Sequence, residues 1–315
     1  MTKINLAKVI VIVGPTASGK SDLAIKLAKK IEGEIISADS RQVYRGMDIG
    51  TGKVSKKEQK IVPHRLIDIV SPKKQFTADD FKKLGEKAIK EIFAKGKIPV
   101  IVGGTGFYVD VLLGRISVAE VPPNKKLRAK LEKQSAEQLF KRLEKLDPNR
   151  AKTIEPQNKR RLIRALEIAV AVKKSPKPTL TSKNAVAENE VNYKILWIGI
   201  KFQQKDLNKR IKKRLNKRLK QGVVREVKNL LRSSVTKKRL YDFGLEYRWV
   251  SRWLKSSERK QSFSNSQEYE NLLRDIIKYS KRQMTWFKRN KEIHWLNPSA
   301  DGQREAEKLF IQFLR

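Results

Sequence analysis

The 315-residue sequence predicts an α/β protein, a parallel β-sheet flanked by helices and interrupted by a helical insertion. Three observations carry that prediction. Wholly apolar, β-branched runs alternate with amphipathic stretches in the first third of the chain, as parallel strands buried on both faces do. A glycine-rich octapeptide joins the first of these runs to the first amphipathic stretch. Strand signals then vanish between about residues 115 and 191 and return at Tyr193.

Residues 9–13 read as a buried strand. Residues 20–31 follow as a helix with Leu23, Ala24, Leu27, Ala28 and Ile31 on one face, and residues 34–38 as a second strand. Residues 81–95 repeat the helical pattern through Phe81, Leu84, Ala88, Ile92 and Phe93, and residues 98–102 form another apolar strand ending in Gly103-Gly104. Helical segments at 127–146 and 159–172 and a Pro/Ser/Thr/Asn-rich loop at 175–190 fill the insertion. Residues 193–200 resume the sheet, and 207–231 and 269–289 read as long basic helices. The expected organisation is a core of residues 1–115 and 192–315 around an insertion domain of residues 116–191. No internal repeat is evident.

Composition removes several function classes. The absence of cysteine excludes disulfides, thiolate metal sites and a cysteine nucleophile, and two histidines cannot build a histidine-rich metal site. An apolar fraction of 39% supports a packed core rather than wholesale disorder. The longest aliphatic runs fall far short of the roughly 18 residues of a membrane span, and Gly14-Pro15 cuts short any signal-peptide core, so a cytoplasmic protein without a membrane partner is expected.

Charge is the most unusual property of the sequence. Lys and Arg number 72 against 33 Asp and Glu, a formal net charge of +39. Residues 1–115 hold 22 basic against 12 acidic residues, residues 116–315 hold 50 against 21, and the stretch 201–240 holds 16 against 2. A field of this density attracts phosphate backbones and releases their counterions, which is the electrostatic footprint of nucleic-acid binding. The alternative is a lysine-rich dressing of solvated faces.

Residues 14–21 read Gly14-Pro15-Thr16-Ala17-Ser18-Gly19-Lys20-Ser21, a full match to the phosphate-binding loop G-x-x-x-x-G-K-[ST] between a strand and a helix. The fold is therefore read as P-loop NTPase-like. Backbone N–H groups at the helix start curl round an anion, Lys20 supplies a point charge, and the Ser21 hydroxyl can ligate Mg²⁺. Nucleotide hydrolases add an acid at the end of a hydrophobic strand, yet residues 98–102 lead into Gly103-Gly104-Thr105, and Leu66-Ile67-Asp68 is a weaker candidate. The better-placed acid is Asp39, just after the second strand. In a doubly wound sheet, the carboxyl end of a strand beside the P-loop strand faces the same crevice. A turn or cap role for Asp39 is the competing reading.

These residues, with others in order, resemble the tRNA dimethylallyltransferases, also called tRNA isopentenyltransferases, over nearly the whole chain. The resemblance rests on the P-loop, on Ile36-Ser37-Ala38-Asp39-Ser40-Arg41-Gln42-Val43-Tyr44 running on through Gly50-Thr51-Gly52-Lys53, on Pro63-His64-Arg65-Leu66-Ile67-Asp68, and on Val102-Gly103-Gly104-Thr105-Gly106-Phe107-Tyr108. Downstream it continues through Arg161-Leu162-Ile163-Arg164-Ala165-Leu166-Glu167, Arg210-Ile211-Lys212-Lys213-Arg214 leading to Gly222, and Lys281-Arg282-Gln283-Met284-Thr285-Trp286-Phe287.

The resemblance implies transfer of a dimethylallyl group from dimethylallyl diphosphate to N6 of adenosine 37, beside the tRNA anticodon, with Mg²⁺ and release of diphosphate. No obligate protein partner is evident. It implies that Asp39 is the base, that Thr105 contacts substrate, and that Lys20 and Arg214 hold the diphosphate from opposite sides. It also implies a flipped-out target base lined by Asp39, Ser40, Arg41 and Gln42 with Arg160, Arg161 and Arg164, loop contacts from Arg128, and a grip on the anticodon stem-loop by Lys281, Arg282, Gln283, Thr285 and Trp286. The helical insertion becomes the tRNA-binding domain. On the last helix, Arg282, Thr285, Trp286 and Arg289 share one face, although core packing is an equal alternative for Trp286.

The sequence departs from the family pattern in three places. Pro156-Gln157-Asn158 stands for the usual Pro-Asn-Asp, Arg218 for the usual Met, and Phe243-Gly244-Leu245-Glu246-Tyr247 replaces the usual Gly-Tyr-Lys-Glu, which puts tRNA contacts near 244–247 in question. Three rivals remain at this point: a small-molecule P-loop kinase, an isopentenyltransferase acting on free adenylate, and a non-catalytic RNA-binding module. The first lacks its lid pattern, the basic second half argues against the second, and intact Lys20, Ser21 and Asp39 argue against the third.

Overall fold

β1 (Lys8–Val13), β2 (Glu34–Ser37), β3 (His64–Arg65), β4 (Pro99–Gly103), β5 (Lys194–Ile200) and β6 (His294–Leu296) form one sheet in the order β3-β2-β4-β1-β5-β6, with every pair parallel. This computed structural model describes residues 6–174 and 193–315, so the loop expected at 175–190 lies outside the described residues. The chain separates into two compact units, Met1–Ile116 with Val191–Arg315, and Ser117–Glu190.

The sheet forms because its inner strands are apolar at every position, so both faces must be covered. Successive side chains of β1 alternate between the faces. Val9, Val11 and Val13 pack with Phe81, Ile89 and Ile92 of the Ala78–Ala94 helix, and with Tyr108 and Val109 of the Gly106–Leu112 helix. Ile10 and Ile12 pack on the other side with Ala24, Leu27 and Ala28 of the Lys20–Lys30 helix and with Ala306 and Phe310 of the Ala300–Leu314 helix.

The strand beside β1 is β4, not β2, which corrects the neighbour relation expected from the sequence. β4 is apolar through Val102 and takes a place with long partners on both edges, whereas β2 ends the long part of the sheet with only the two-residue β3 outside it. Asp39 and Thr105 therefore leave adjacent strand ends, with Ser37 in register with Val102.

A helical layer follows β5. The expected helix at 207–231 is two helices, Gln204–Gln221 and Val223–Arg232, because Gly222 adopts φ 100° and turns the chain. The expected helix at 127–146 likewise divides into Lys125–Leu131 and Ala136–Leu146, with a capping box between Ser135 and Gln138 starting the second. Leu66-Ile67-Asp68 follows the two-residue β3 rather than ending a long apolar strand. Leu66 and Asp68 both have positive φ, and the Asp68 carboxylate is tied by Lys53 and Lys56. The second unit has its own core of Leu131, Leu139, Leu143, Leu162, Ile163 and Leu166.

Candidate active site

The loop after β1 has the geometry its sequence demands. Gly14 lies so close to β5 that a Cβ would sit 2.9 Å from the Ile200 carbonyl oxygen, and its φ is 150°. Ala17 and Gly19 also take positive φ, which curls the loop round the start of the Lys20–Lys30 helix. Among the described residues no side chain caps that helix, and the Ser18 Oγ is buried without a hydrogen-bond partner. The Lys20 ammonium meets the Pro15 carbonyl at 3.2 Å. Burial, then the nearby Arg214, lower its pKa to about 8. A partly buried cation at the start of a helix, beside a hydroxyl without a partner among the described residues, is a site made for an anion.

The Gln204–Gln221 helix supplies the opposite wall. Leu207, Ile211 and Leu215 fix one of its faces in the core. Four-residue spacing places Arg210, Arg214 and Arg218 in a row toward the P-loop side. Arg210 Nε donates to the Ala17 carbonyl (2.9 Å), Arg214 Nη1 to the Thr16 hydroxyl (3.1 Å), and Arg218 Nη1 to the Gly50 carbonyl (3.0 Å). Burial, then Arg218, lower Arg214 to about 10. The sequence reading singled out Arg214 alone, although i, i+4, i+8 spacing was available to find the other two.

Asp39 lies at the end of β2. Its Oδ1 accepts the Arg41 N–H (2.8 Å) and the Gln42 N–H (3.3 Å), an Asx turn that fixes the carboxylate, while Oδ2 accepts no hydrogen bond among the described residues. Thr105, at the end of β4, is clasped to the same segment: its Oγ1 accepts from Ser40 N (3.2 Å), and its own N–H donates to the Ala38 carbonyl (3.3 Å). A Cβ on Gly103 would lie 2.1 Å from that carbonyl, so only glycine fits there.

The Gln267–Phe287 helix closes the site and corrects one expectation. Gln283 does not face outward with Lys281 and Arg282. It is 5% exposed, accepting the Thr16 N–H at 2.8 Å and donating to the Gly104 carbonyl at 2.9 Å. It thus ties the P-loop to the end of β4. One turn earlier, the Tyr279 hydroxyl is pushed up to about 12 by burial and by the Asp39 carboxylate, against a hydrogen bond with Thr105. Tyr279 was missed from sequence because it lies outside the Lys281–Phe287 motif.

Lys281, Arg282 and Thr285 are exposed, Thr285 donating to the Lys281 carbonyl. Trp286 is half-buried: its indole N–H donates to Asp110 Oδ2 (2.8 Å), and its ring meets Phe107 edge-on. The Arg41 guanidinium is anchored on the Phe243 and Ser40 carbonyls. Gln42 Oε1 accepts from the Ser37 hydroxyl, and Ser40 is half-buried.

The residues near 244–247 turn inward. Glu246 pairs with Arg218, and the Tyr247 hydroxyl donates to Glu226, whose carboxylate accepts the N–H groups of Asp48, Ile49 and Gly50 at 2.7, 2.7 and 3.0 Å. These contacts hold the 48–52 loop beneath the arginine row.

Within the second unit, Arg128 makes a bidentate pair with Glu167, and Arg164 Nη1 meets the same carboxylate and the Val121 carbonyl. Burial alone would raise Glu167, but Arg128, the Asn124 N–H and Arg164 bring it down to about 2. Arg160 and Arg161 are exposed, Arg161 pairing with Glu155.

Comparison with known proteins finds relatives along nearly the whole chain. The family model described as IPP transferase matches residues 42–290. A tRNA dimethylallyltransferase of Acetivibrio thermocellus is 38% identical over 293 residues, covering 92% of this chain and 91% of the relative. The crystal structure of a tRNA Δ(2)-isopentenylpyrophosphate transferase from Staphylococcus epidermidis is 38% identical, covering 97% of this chain and 99% of its own, with a TM-score of 0.68. A eukaryotic dimethylallyltransferase captured acting on tRNA matches at 25% identity, 97% and 80% coverage and a TM-score of 0.76. An anion cradle with Asp39 and Thr105 at neighbouring strand ends, and matches that run nearly end to end, lead to one conclusion: the chain belongs to the IPP transferase family.

Proposed function

We propose that the protein transfers a dimethylallyl group from dimethylallyl diphosphate to N6 of adenosine 37 of tRNA, giving N6-dimethylallyladenosine and diphosphate. The observation that carries this reading is Gln283, which fastens the P-loop to the β4 end bearing Thr105, so that an anion cradle and the Asp39 carboxylate share one edge of the sheet. The P-loop N–H groups with Lys20 and Arg214 take the diphosphate and neutralise it as the allylic C–O bond breaks. The C–N6 bond forms on the other side of the allyl carbon, the N6 proton passes to Asp39 Oδ2, and diphosphate leaves with the electron pair. Thr105 and Tyr279, both beside Asp39, position the base.

A divalent ion fits this site in one way. Among the described residues no cluster of three or more His, Asp or Glu exists to cage a metal, so Mg²⁺ would be held by the Ser21 hydroxyl, substrate phosphate oxygens and water. When bound it supplies further charge neutralisation of the leaving group.

Access to a stacked base requires flipping it out. In this reading Lys281, Arg282, Thr285 and Trp286 grip the anticodon stem-loop; within the 116–191 domain, Arg160, Arg161 and Arg164 serve the target base and Arg128 the loop backbone. Among the described residues no helix is long and apolar enough to cross a membrane, and we place the reaction in the cytoplasm with the tRNA pool.

The test is nucleoside mass spectrometry of unmodified tRNA incubated with protein, Mg²⁺ and dimethylallyl diphosphate, with ATP and AMP in parallel. A dimethylallyl mass on tRNA adenosine supports the reading. Prenylation of AMP alone, or phosphate release from ATP without a prenyl product, overturns it.

A further inference from the structure

Arg218 stands where the family pattern has Met, and it is buried at 8% exposure beside Glu246 at 3%. A buried ion pair stabilises little, because desolvation offsets its attraction, and an apolar side chain of similar volume serves packing as well or better. The placement of the guanidinium gives it another use. Arg218 Nη1 is held by Glu246 and by the Gly50 carbonyl. Its Nη2 lies against Gly52 of the same loop, where a built Cβ would lie 2.1 Å from it and 2.2 Å from Nη2 of Arg214.

Two guanidinium ends thus lie side by side against a glycine at φ 61°, whose missing side chain lets them approach. Neither Nη2 donates to a protein acceptor among the described residues. Lys20 adds a third cation nearby, while Glu246, Asp39 and Asp22 are the anions facing the group. Like charges crowded together with free donors are stabilised by a multiply charged anion.

We propose that Arg218, braced by Glu246, is a further binding residue for the terminal phosphate of the diphosphate, forming with Arg214 a two-guanidinium clamp opposite Lys20. The inference rests on the prenyl-transfer reading above. Glu246 acts through Arg218 as a positioning residue, its carboxylate holding Nη1 so that Nη2 is fixed beside that of Arg214.

The experiment compares wild type with R218M, R218K and the double variant R218M/E246Q. The double variant is included because R218M alone strands Glu246 as a buried lone charge. KM for dimethylallyl diphosphate, KM for tRNA and inhibition by inorganic pyrophosphate are measured, with thermal melts as a control. Loss of a charge-assisted contact should raise the KM for dimethylallyl diphosphate and weaken pyrophosphate inhibition by roughly tenfold or more in R218M/E246Q. KM for tRNA should stay within about twofold, and R218K should fall between. An unchanged pyrophosphate inhibition in the melting-competent double variant overturns the clamp, as does an equal rise in KM for tRNA, which would make Arg218 a general scaffold or an RNA contact. A wild-type protein that neither prenylates tRNA nor binds pyrophosphate overturns the underlying reading instead, and the clamp with it.

Discussion

Removing the Lys20 charge should stabilise the unliganded protein while destroying its activity. Burial and the neighbouring Arg214 bring Lys20 from the ordinary lysine value of 10.5 to about 8. At 1.36 kcal/mol per pKa unit, keeping this ammonium charged in the fold costs up to ~3 kcal/mol at pH 7. The side chain is only partly shielded from solvent, so a measured gain of about 1–3 kcal/mol is expected for Lys20→Met. The pH dependence has a definite sign. A lysine whose folded pKa lies below its unfolded value holds fewer protons when folded, so its contribution to stability rises with pH between about 8 and 10.5. The advantage of K20M over wild type should therefore be full below pH 8 and shrink to nothing by pH 10.5. Subtracting the two proteins' urea unfolding curves cancels the titrating groups they share. Pyrophosphate should reverse the order at pH 7, stabilising wild type and leaving K20M unmoved. A K20M protein less stable than wild type at pH 7, or a difference that does not change with pH, would refute the argument that this lysine is kept at a cost for an anion.

Three further outcomes follow from the site. Asp39→Asn keeps the shape of the Asx turn but removes the proton acceptor, so kcat for prenyl transfer should fall by about 10²–10⁴ while tRNA affinity in a filter-binding titration holds. Gln283→Leu leaves the Thr16 N–H and the Gly104 carbonyl without their partner in a buried setting, a loss of roughly 2–4 kcal/mol in urea unfolding, with a raised KM for dimethylallyl diphosphate; an unchanged KM would show that the tie does not set the P-loop. Replacing exposed Lys281 and Arg282 together by Ala should weaken tRNA binding and flatten its salt slope by about two phosphate contacts, measured by titration at several ionic strengths.

What could be read from the sequence was local. The P-loop was legible because eight consecutive residues dictate one turn between a strand and a helix, and Asp39 because it follows an apolar run that has to be a strand, whereas Thr105 and Arg214 came only with the family resemblance. The order of the strands was not, since β4 inserts between β1 and β2 by pairing with residues more than sixty positions away. Both helix breaks carried readable signals, Gly222 and the Ser135–Gln138 capping box, but hydrophobic periodicity ran on through each and hid the turn. Gln283 lay beyond local reading for a different reason: a polar residue on a basic helix points to solvent by default, and only the packing of that helix over the P-loop turns it inward. Glu246 and Tyr247 are similar, since their partners Arg218 and Glu226 lie on the two helices that meet at Gly222.

The central claim is that one sheet edge brings a diphosphate cradle and a proton acceptor to bear on a tRNA adenine. It is tested most directly by digesting tRNA after incubation with dimethylallyl diphosphate and Mg²⁺, and reading the nucleosides by mass spectrometry for wild type, K20M and D39N side by side. The account predicts N6-dimethylallyladenosine at position 37 with wild type, and only trace product with either variant under conditions where both still bind tRNA. Product formation at the wild-type rate by either variant, or a prenyl mass found on free AMP alone, would contradict it.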